Sequence, residues 1–297
     1  MRVLVSGASG FIGSALVTAL EKDGAEVWRL VRRLPPGGVR ALLWDPLGAG
    51  PDLSSLPPVD AVVHLAGAPI AAGRWTRAHK AAIWESRVRG TRHLAAALAA
   101  LPEPPGVLIS ASAVGYYGDR GDEVLTEASP PGEGFLAELC QAWEAAGQPA
   151  REAGIRVVHP RIGLVLGRGG GALARMLPVF RLGLGGPLGS GRQWMSWIHL
   201  DDVVAAIRFA LAQEALEGPV NLTAPHPVRN RDFTRLLARQ LRRPACLPVP
   251  AAALRLGYGE MAEALLLAGQ RVHPARLAEA GFNWHHPRLE AALAACF

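Results

Sequence analysis

Apolar and polar positions alternate along this chain in two rhythms. Val3 to Val5 form a short apolar run that stops at Ser6-Gly7. Directly afterwards Phe11, Ile12, Ala15, Leu16, Ala19 and Leu20 recur at spacings of three and four, which is one face of an amphipathic helix. Gly24 follows and offers the left-handed conformation that ends such a helix. The strand rhythm returns in "AEVWRLVRR", "DAVVHLAGAP", "GVLISASAVG" and "GIRVVHPRIGLVLG". Between these β-branched runs, helical spacing predicts helices over residues 76–101 and 135–153. Strands alternating with helices to about residue 165 predict an α/β fold. With right-handed crossovers it becomes a Rossmann-like, doubly wound parallel sheet.

Beyond Gly167 the texture changes. "GRGGGALARMLPVFRLGLGGPLGSGRQ" is glycine-rich with a short helix inside it, and "WMSWIHLDDVVAAIRFALA" reads as a strand followed by an apolar helix capped by Asp201 or Asp202. Prolines 225, 227, 244, 248 and 250 then break the chain into loops, with short helices expected near 233–241 and 251–268. The pattern predicts a Rossmann domain over residues 1–165 and a smaller C-terminal substrate cap over 166–297, with elements near 195–212 returning to the sheet. No fixed-period repeat is visible.

Composition narrows the function classes. The net charge is +6 and the pI about 9.9, yet Lys22 and Lys80 are the only lysines, and the arginines are scattered without interleaved aromatics. This argues for compositional bias and against a nucleic-acid partner. The apolar runs carry Pro, Gly or charge before they could span a bilayer, so no membrane role is expected. Cys140, Cys246 and Cys296 fit no disulfide or metal spacing, and "MRVLVSGASG" has no secretory-leader pattern; a cytoplasmic setting is the expectation.

The first turn carries the strongest chemical signal. "SGASGFIG" places Gly7, Gly10 and Gly13 between a strand and a helix. Such glycines allow a tight turn, close backbone approach to a diphosphate and close helix–sheet packing, while the helix N-terminus offers N–H groups to the anion. Ser9, Phe11 and Ile12 complete the turn. Strand two ends in Arg32-Arg33, where an NAD-binding chain carries a carboxylate for the ribose hydroxyl. Guanidiniums there suit a 2′-phosphate, so the expected cofactor is NADP(H).

That turn, "DAVVHLAGAP", "ISASAVGYYG" and "GSGRQWMSWIHLDDV", in this order, resemble the extended short-chain dehydrogenase/reductase superfamily. "SRVRGTRHL", "VNLTAPHPVRNRDF" and "EMAEALLLAGQRVHPARLAEAGF" resemble its sugar-nucleotide-epimerase-like branch, the "epimerase family proteins", some of them named as cell-division inhibitors. The resemblance spans essentially the whole chain. It implies that Leu65, Ala66 and Gly67 flank the cofactor, that Arg87 contacts it, and that Pro160-Arg161 lies beside the nicotinamide. It also implies a catalytic position at Ser112, and homodimerisation is common among superfamily members.

One motif is missing. The superfamily carries Tyr and Lys four residues apart on the helix after that serine. Counting back from Glu144 puts Leu136 and Cys140 in their places, and Cys140 reads as a small buried hydrophobe. A remaining proton donor has to come from elsewhere: Tyr116 or Tyr117, with Ser112 donating to the substrate. Arg192 and Gln193 are expected to face a small, anionic substrate. His199 and Asp202 read as structural, Lys80 as too distant to replace the lysine, and His285-His286 as lacking a third metal ligand. Two functions fit: an NADP(H)-dependent oxidoreductase or epimerase-like enzyme, or a non-enzymatic NADP(H)-binding sensor.

Overall fold

The computed structural model describes residues 1–34 and 39–297. In chain order the first half contains β1 Arg2–Ser6, α1 Phe11–Lys22, β2 Glu26–Val31, β3 Ala41–Leu43, β4 Ala61–His64, α2 Arg77–Ala99, β5 Val107–Ser110, β6 Ser112–Ala113, β7 Val124–Leu125, α3 Phe135–Ala145, α4 Gln148–Glu152, β8 Arg156–Ile162 and β9 Leu164–Leu166. The second half contains α5 Gly171–Arg181, β10 Trp194–Met195, β11 Trp197–His199, α6 Leu200–Ala212, β12 Gly218–Leu222, β13 Val228–Arg229, α7 Asn230–Leu241, α8 Ala251–Tyr258, α9 Glu260–Ala262, β14 Arg271–Val272, α10 Ala275–Glu279 and α11 Leu289–Ala295.

The main sheet runs β12-β8-β5-β4-β1-β2-β3, with β6 continuing alongside β8, and every pairing in it is parallel. Strand order reverses at β1, which opens a crevice at the carboxyl ends of β1 and β4, the ligand position of open α/β sheets. The strands are apolar on both faces because both faces are covered. Val3 and Val5 pack towards α1 and α6, while Leu4 packs with Leu94 and Leu98 of α2. A separate cluster around Trp197, Phe233, Leu237 and Leu293 forms the core of the C-terminal part. No helix of the described residues is long and apolar enough to cross a membrane.

Several elements differ from expectation for local reasons. The helix expected over 135–153 breaks after Ala145: Pro149 has no N–H to continue the ladder, and it sits in the first turn of a second, short helix. The helix expected over 251–268 breaks at Gly259, whose φ of 60° no helix accommodates. "WMSWIH" splits at Ser196, whose hydroxyl donates to Gln270 O at 2.7 Å and accepts the Val272 N–H at 2.9 Å; β10 pairs antiparallel with β13 and β11 parallel with β9. The return to the main sheet extends past residue 212, because β12 pairs with β8.

The cap of α6 is also corrected. It is His199, not Asp201 or Asp202: the imidazole Nδ1 accepts the Asp201 N–H at 3.2 Å. Asp202 is fully buried one turn in, where its carboxylate accepts the N–H groups of His285 at 2.7 Å and His286 at 2.9 Å. A sequence distance of more than 80 residues separates these partners, so local capping rules could not reveal them. Asp202→Ala is expected to lower the free energy of unfolding by about 1–3 kcal/mol, since two backbone N–H donors lose their buried carboxylate acceptor. Chemical denaturation measures it, and an unchanged midpoint would refute the assignment.

Candidate functional site at the carboxyl edge of the sheet

The turn between β1 and α1 is built on absent side chains. Gly7 has φ 70°, and a Cβ on it would lie 2.8 Å from Ala66 N. A Cβ on Gly13 would lie 2.1 Å from Gly7 O, and the Gly10 N–H donates to that same oxygen at 2.9 Å. Gly10 is the N-cap of α1 and no side chain caps it; the first turn holds no acidic residue. Ser9 and Gly10 are exposed, and Phe11 and Ile12 are half-buried. Uncapped N–H groups without a neighbouring carboxylate form an anion site, and the glycine cradle leaves room for a diphosphate.

Phe11 explains the glycine-rich stretch beyond residue 166. A Cβ on Gly170 would lie 2.2 Å from its ring, and Cβ atoms on Gly167 and Gly171 would each lie 2.9 Å away. The start of α5 therefore packs directly on the phosphate turn. Ser6 fastens the turn to β4: its hydroxyl lies 2.5 Å from His64 Nδ1 and accepts the Leu65 N–H at 3.2 Å. Leu65, Ala66 and Gly67 thus stand beside the turn. Arg32 and Arg33 are exposed just past the end of β2.

Arg87 rises from α2 to the end of β4. Its Nη1 donates to Ala68 O at 3.0 Å, and a Cβ on Gly67 would lie 3.1 Å from its Cζ. Its guanidinium stacks 5.1 Å from the Trp143 ring centroid. Burial lowers this group to about 10, which leaves it charged at neutral pH. Cys140 is buried beside it, and burial pushes its thiol up to about 12. It is inert, as the apolar reading of α3 requires.

The catalytic expectations resolve into a closed network. Arg161 is buried and forms a fork on Glu144, with Nε–Oε1 and Nη2–Oε2 both at 2.8 Å. Its third donor, Nη1, reaches Tyr117 Oη at 3.0 Å. Burial alone would lower this guanidinium, but the hydrogen bonds and charge of Glu144 outweigh it and hold Arg161 above the usual arginine range. Ser112 Oγ donates to Glu144 Oε1 at 2.7 Å. The serine proton is therefore committed, so the expected donor to substrate is instead a donor to Glu144.

The two tyrosines separate. Tyr117 is fully buried and its hydroxyl donates to Asn221 Oδ1 at 2.7 Å. Burial pushes it up to about 12 despite the opposing charge of Arg161. Its hydroxyl thus stands between Asn221, to which it donates, and Arg161, from which it accepts. Tyr116 is half-buried, and the Arg161 guanidinium lies 3.4 Å from its ring centroid. Pro160 is buried in β8 opposite Val220. Arg161 has its three nitrogens engaged by Glu144 and Tyr117, an internal ion pair.

In the expected substrate loop, Arg192 is exposed, whereas Gln193 ties two loops together by donating to Leu188 O at 3.1 Å and Leu266 O at 2.8 Å. Lys80 pairs with Glu260 at 2.7 Å, and its ammonium lies 4.5 Å from the ring centroid of Phe135 at the start of α3. Folding brings His199 and Asp201 to His286, with ligand atoms within 4.8 Å of one another, a grouping that spacing along the chain did not show. The Nδ1 of His199 already caps α6 there. Sequence reasoning missed Glu144 as the hub of the buried network, although its place one turn after Cys140 was a usable signal. It also missed Asn221, for which no local signal exists.

The parallel sheet, the glycine cradle at its switch point and the C-terminal cap define an extended short-chain dehydrogenase/reductase. The chain belongs to the NAD dependent epimerase/dehydratase family, whose model matches residues 3–222. A domain of unknown function, DUF1731, matches residues 249–296. The epimerase family protein Mb2239 of Mycobacterium bovis is 48% identical over 98% of this chain and 96% of its own. The crystal structure of human epimerase family protein SDR39U1 with NADPH superposes with a TM-score of 0.91 at 37% identity, covering 100% of this chain and 99% of that one. A nucleoside-diphosphate sugar epimerase from Corynebacterium glutamicum gives 0.81 at 40% identity; the match covers 100% of this chain and 58% of that one.

Two measurements test the site's electrostatics. His64 and His159 are each held by burial at about 4, against an ordinary imidazole value of 6.5. Between those values the unfolded chain binds more protons, so stability is fully present above pH 6.5 and falls as pH drops towards 4. Thermal melts from pH 4 to 8 should show this decline, and a flat profile would contradict neutral buried imidazoles. Glu144→Ala should cost about 3–5 kcal/mol by leaving Arg161 buried and unpaired, read by denaturant titration.

Proposed function

We propose that this protein is an NADP(H)-dependent oxidoreductase or epimerase-like enzyme acting on a small, anionic substrate. The observation that carries the reading is the Gly7–Gly10–Gly13 cradle with its uncapped, carboxylate-free helix terminus. The NADPH in the human relative's structure supports it. Exposed Arg32 and Arg33 favour the 2′-phosphate of NADP(H) over the free hydroxyl of NAD. NADP(H), when bound, supplies or accepts the hydride. The chain's residues position the reactants and manage the proton.

In this scheme Tyr116 is the proton donor, with Arg161 over its ring. Glu144, Arg161 and Tyr117 hold the floor of the site rigid, and Ser112 offers its lone pairs while its O–H donates to Glu144. Arg192 recruits the substrate's negative charge. Positioning alone supplies much of a hydride transfer's acceleration, so the absent Tyr–Lys pair slows such chemistry without forbidding it. Free cysteines at 140, 246 and 296 suit a cytoplasmic setting. The commitment of the Ser112 proton also favours a second reading, a sensor that binds NADP(H) without turnover.

Calorimetry should show NADPH binding more tightly than NADH, with the preference shrinking in Arg32→Ala/Arg33→Ala. Equal affinities in the parent protein would end the arginine argument. Tyr116→Phe should lower kcat by about 10²–10⁴ with NADPH affinity kept. Turnover undiminished in that variant removes Tyr116 as the acid. NADPH that stays unconsumed across a library of carbonyl compounds and nucleotide sugars supports the sensor.

A further inference from the structure

The charges of this chain are unevenly placed. No Asp or Glu occurs between Glu152 and Asp201, nor between Asp232 and Glu260, although arginines continue through both stretches. Folding lays parts of these two stretches side by side. The loop after α5 joins the loop after α7 where Gly189 N–H donates to Val249 O and Val249 N–H to Pro187 O, both at 2.9 Å. A Cβ on Gly183 would lie 3.3 Å from Pro244 Cγ, and one on Gly186 would collide with Leu247 O. The two acid-free segments thus make one surface of paired loops.

That surface carries apolar side chains open to solvent. Leu182 is 74% exposed, Leu184 55%, Leu247 54% and Val179 48%. Single exposed aliphatic groups are ordinary, but a group of them marks a contact surface. Arg181, Arg242 and Arg243 stand among them, all exposed. Among the described residues no carboxylate pairs with any of the three. Arg235 and Arg255, by contrast, are answered by Asp232 and Glu263. Arg242 holds φ 53° after the last turn of α7, the one positive φ outside glycine among the described residues. Glycine is the unstrained choice there, so the arginine adds a cation to the loop at a backbone cost.

The chemistry of the loops says what covers them. Unanswered guanidiniums call for anions, and the leucines call for an apolar phase within a side chain's reach. A second copy docking about a two-fold axis would set these arginines against their duplicates, with no acid in either segment to answer them. A bilayer of anionic phospholipid meets both demands, with phosphates at its surface and acyl chains beneath. Arginine stems lie along the apolar layer while their guanidiniums stay among the headgroups. We propose that loops 181–187 and 242–248 dock this protein peripherally on an anionic phospholipid bilayer. Leu182, Leu184 and Leu247 enter the headgroup layer, and Arg181, Arg242 and Arg243 hold its phosphates. Such docking needs no spanning segment, and no helix of the described residues is long and apolar enough to be one. None of these residues belongs to the glycine cradle.

Sedimentation with vesicles tests the docking. The full chain should pellet with phosphatidylcholine vesicles containing about one third phosphatidylglycerol, and stay in solution with phosphatidylcholine alone. Raising the ionic strength from about 0.1 M to about 1 M should release most of it. Arg181→Gln/Arg242→Gln/Arg243→Gln and Leu182→Ser/Leu247→Ser should each lower the affinity for the anionic vesicles about tenfold or more. Both should melt as the parent does, because all five positions are exposed. The proposal is overturned if the parent ignores anionic vesicles, binds neutral ones equally well, or binds anionic ones undiminished in either variant. It is also overturned if light scattering finds a dimer that Leu182→Ser/Leu247→Ser separates, since a second copy then covers the loops.

Discussion

The contact on which the site depends is a backbone one. Helix α1 approaches the turn so closely that a single methyl on Gly13 would sit 2.1 Å from Gly7 O. That approach sets the helix N-terminus at the end of β1, where its unpaired N–H groups converge on the crevice opened by the reversal of strand order. Ser6 then clamps the turn to β4 through His64 and the Leu65 N–H. The glycines around Phe11 carry the same constraint into the second half of the chain, because α5 can start only where its backbone clears that ring.

Away from the turn, the carboxyl edge is governed by buried charge. Glu144 answers Arg161 and accepts the hydrogen bond of the Ser112 hydroxyl, and Tyr117 and Asn221 complete the shell. Inside a protein such a network is strong when satisfied and destabilising when broken, which fixes the conformation of the loop carrying Tyr116. Arg87 stands outside this balance. Its burial is offset by two carbonyls, an indole face and a neutral thiol rather than by a carboxylate.

Local pattern reached far into this fold because much of it is locally specified. The apolar run Val3–Val5, the helical face from Phe11 to Leu20 and Gly24 at φ 81° each lie where side-chain periodicity and turn chemistry put them. Thr76 caps α2 by accepting the His79 N–H, one residue before the helix starts. Boundaries failed where a distant neighbour decided them. Ser196 splits a strand because Gln270 and Val272 claim its hydroxyl.

The sequence by itself determined the parallel sheet, the phosphate turn and the absence of the Tyr–Lys pair, since each is written in adjacent residues with fixed periods. Tertiary structure alone decided what each functional side chain does. Ser112 and Glu144 are 32 positions apart, and Tyr117 and Asn221 are 104 apart. Whether a hydroxyl donates to substrate or to a buried carboxylate depends on partners that only folding brings within 3 Å.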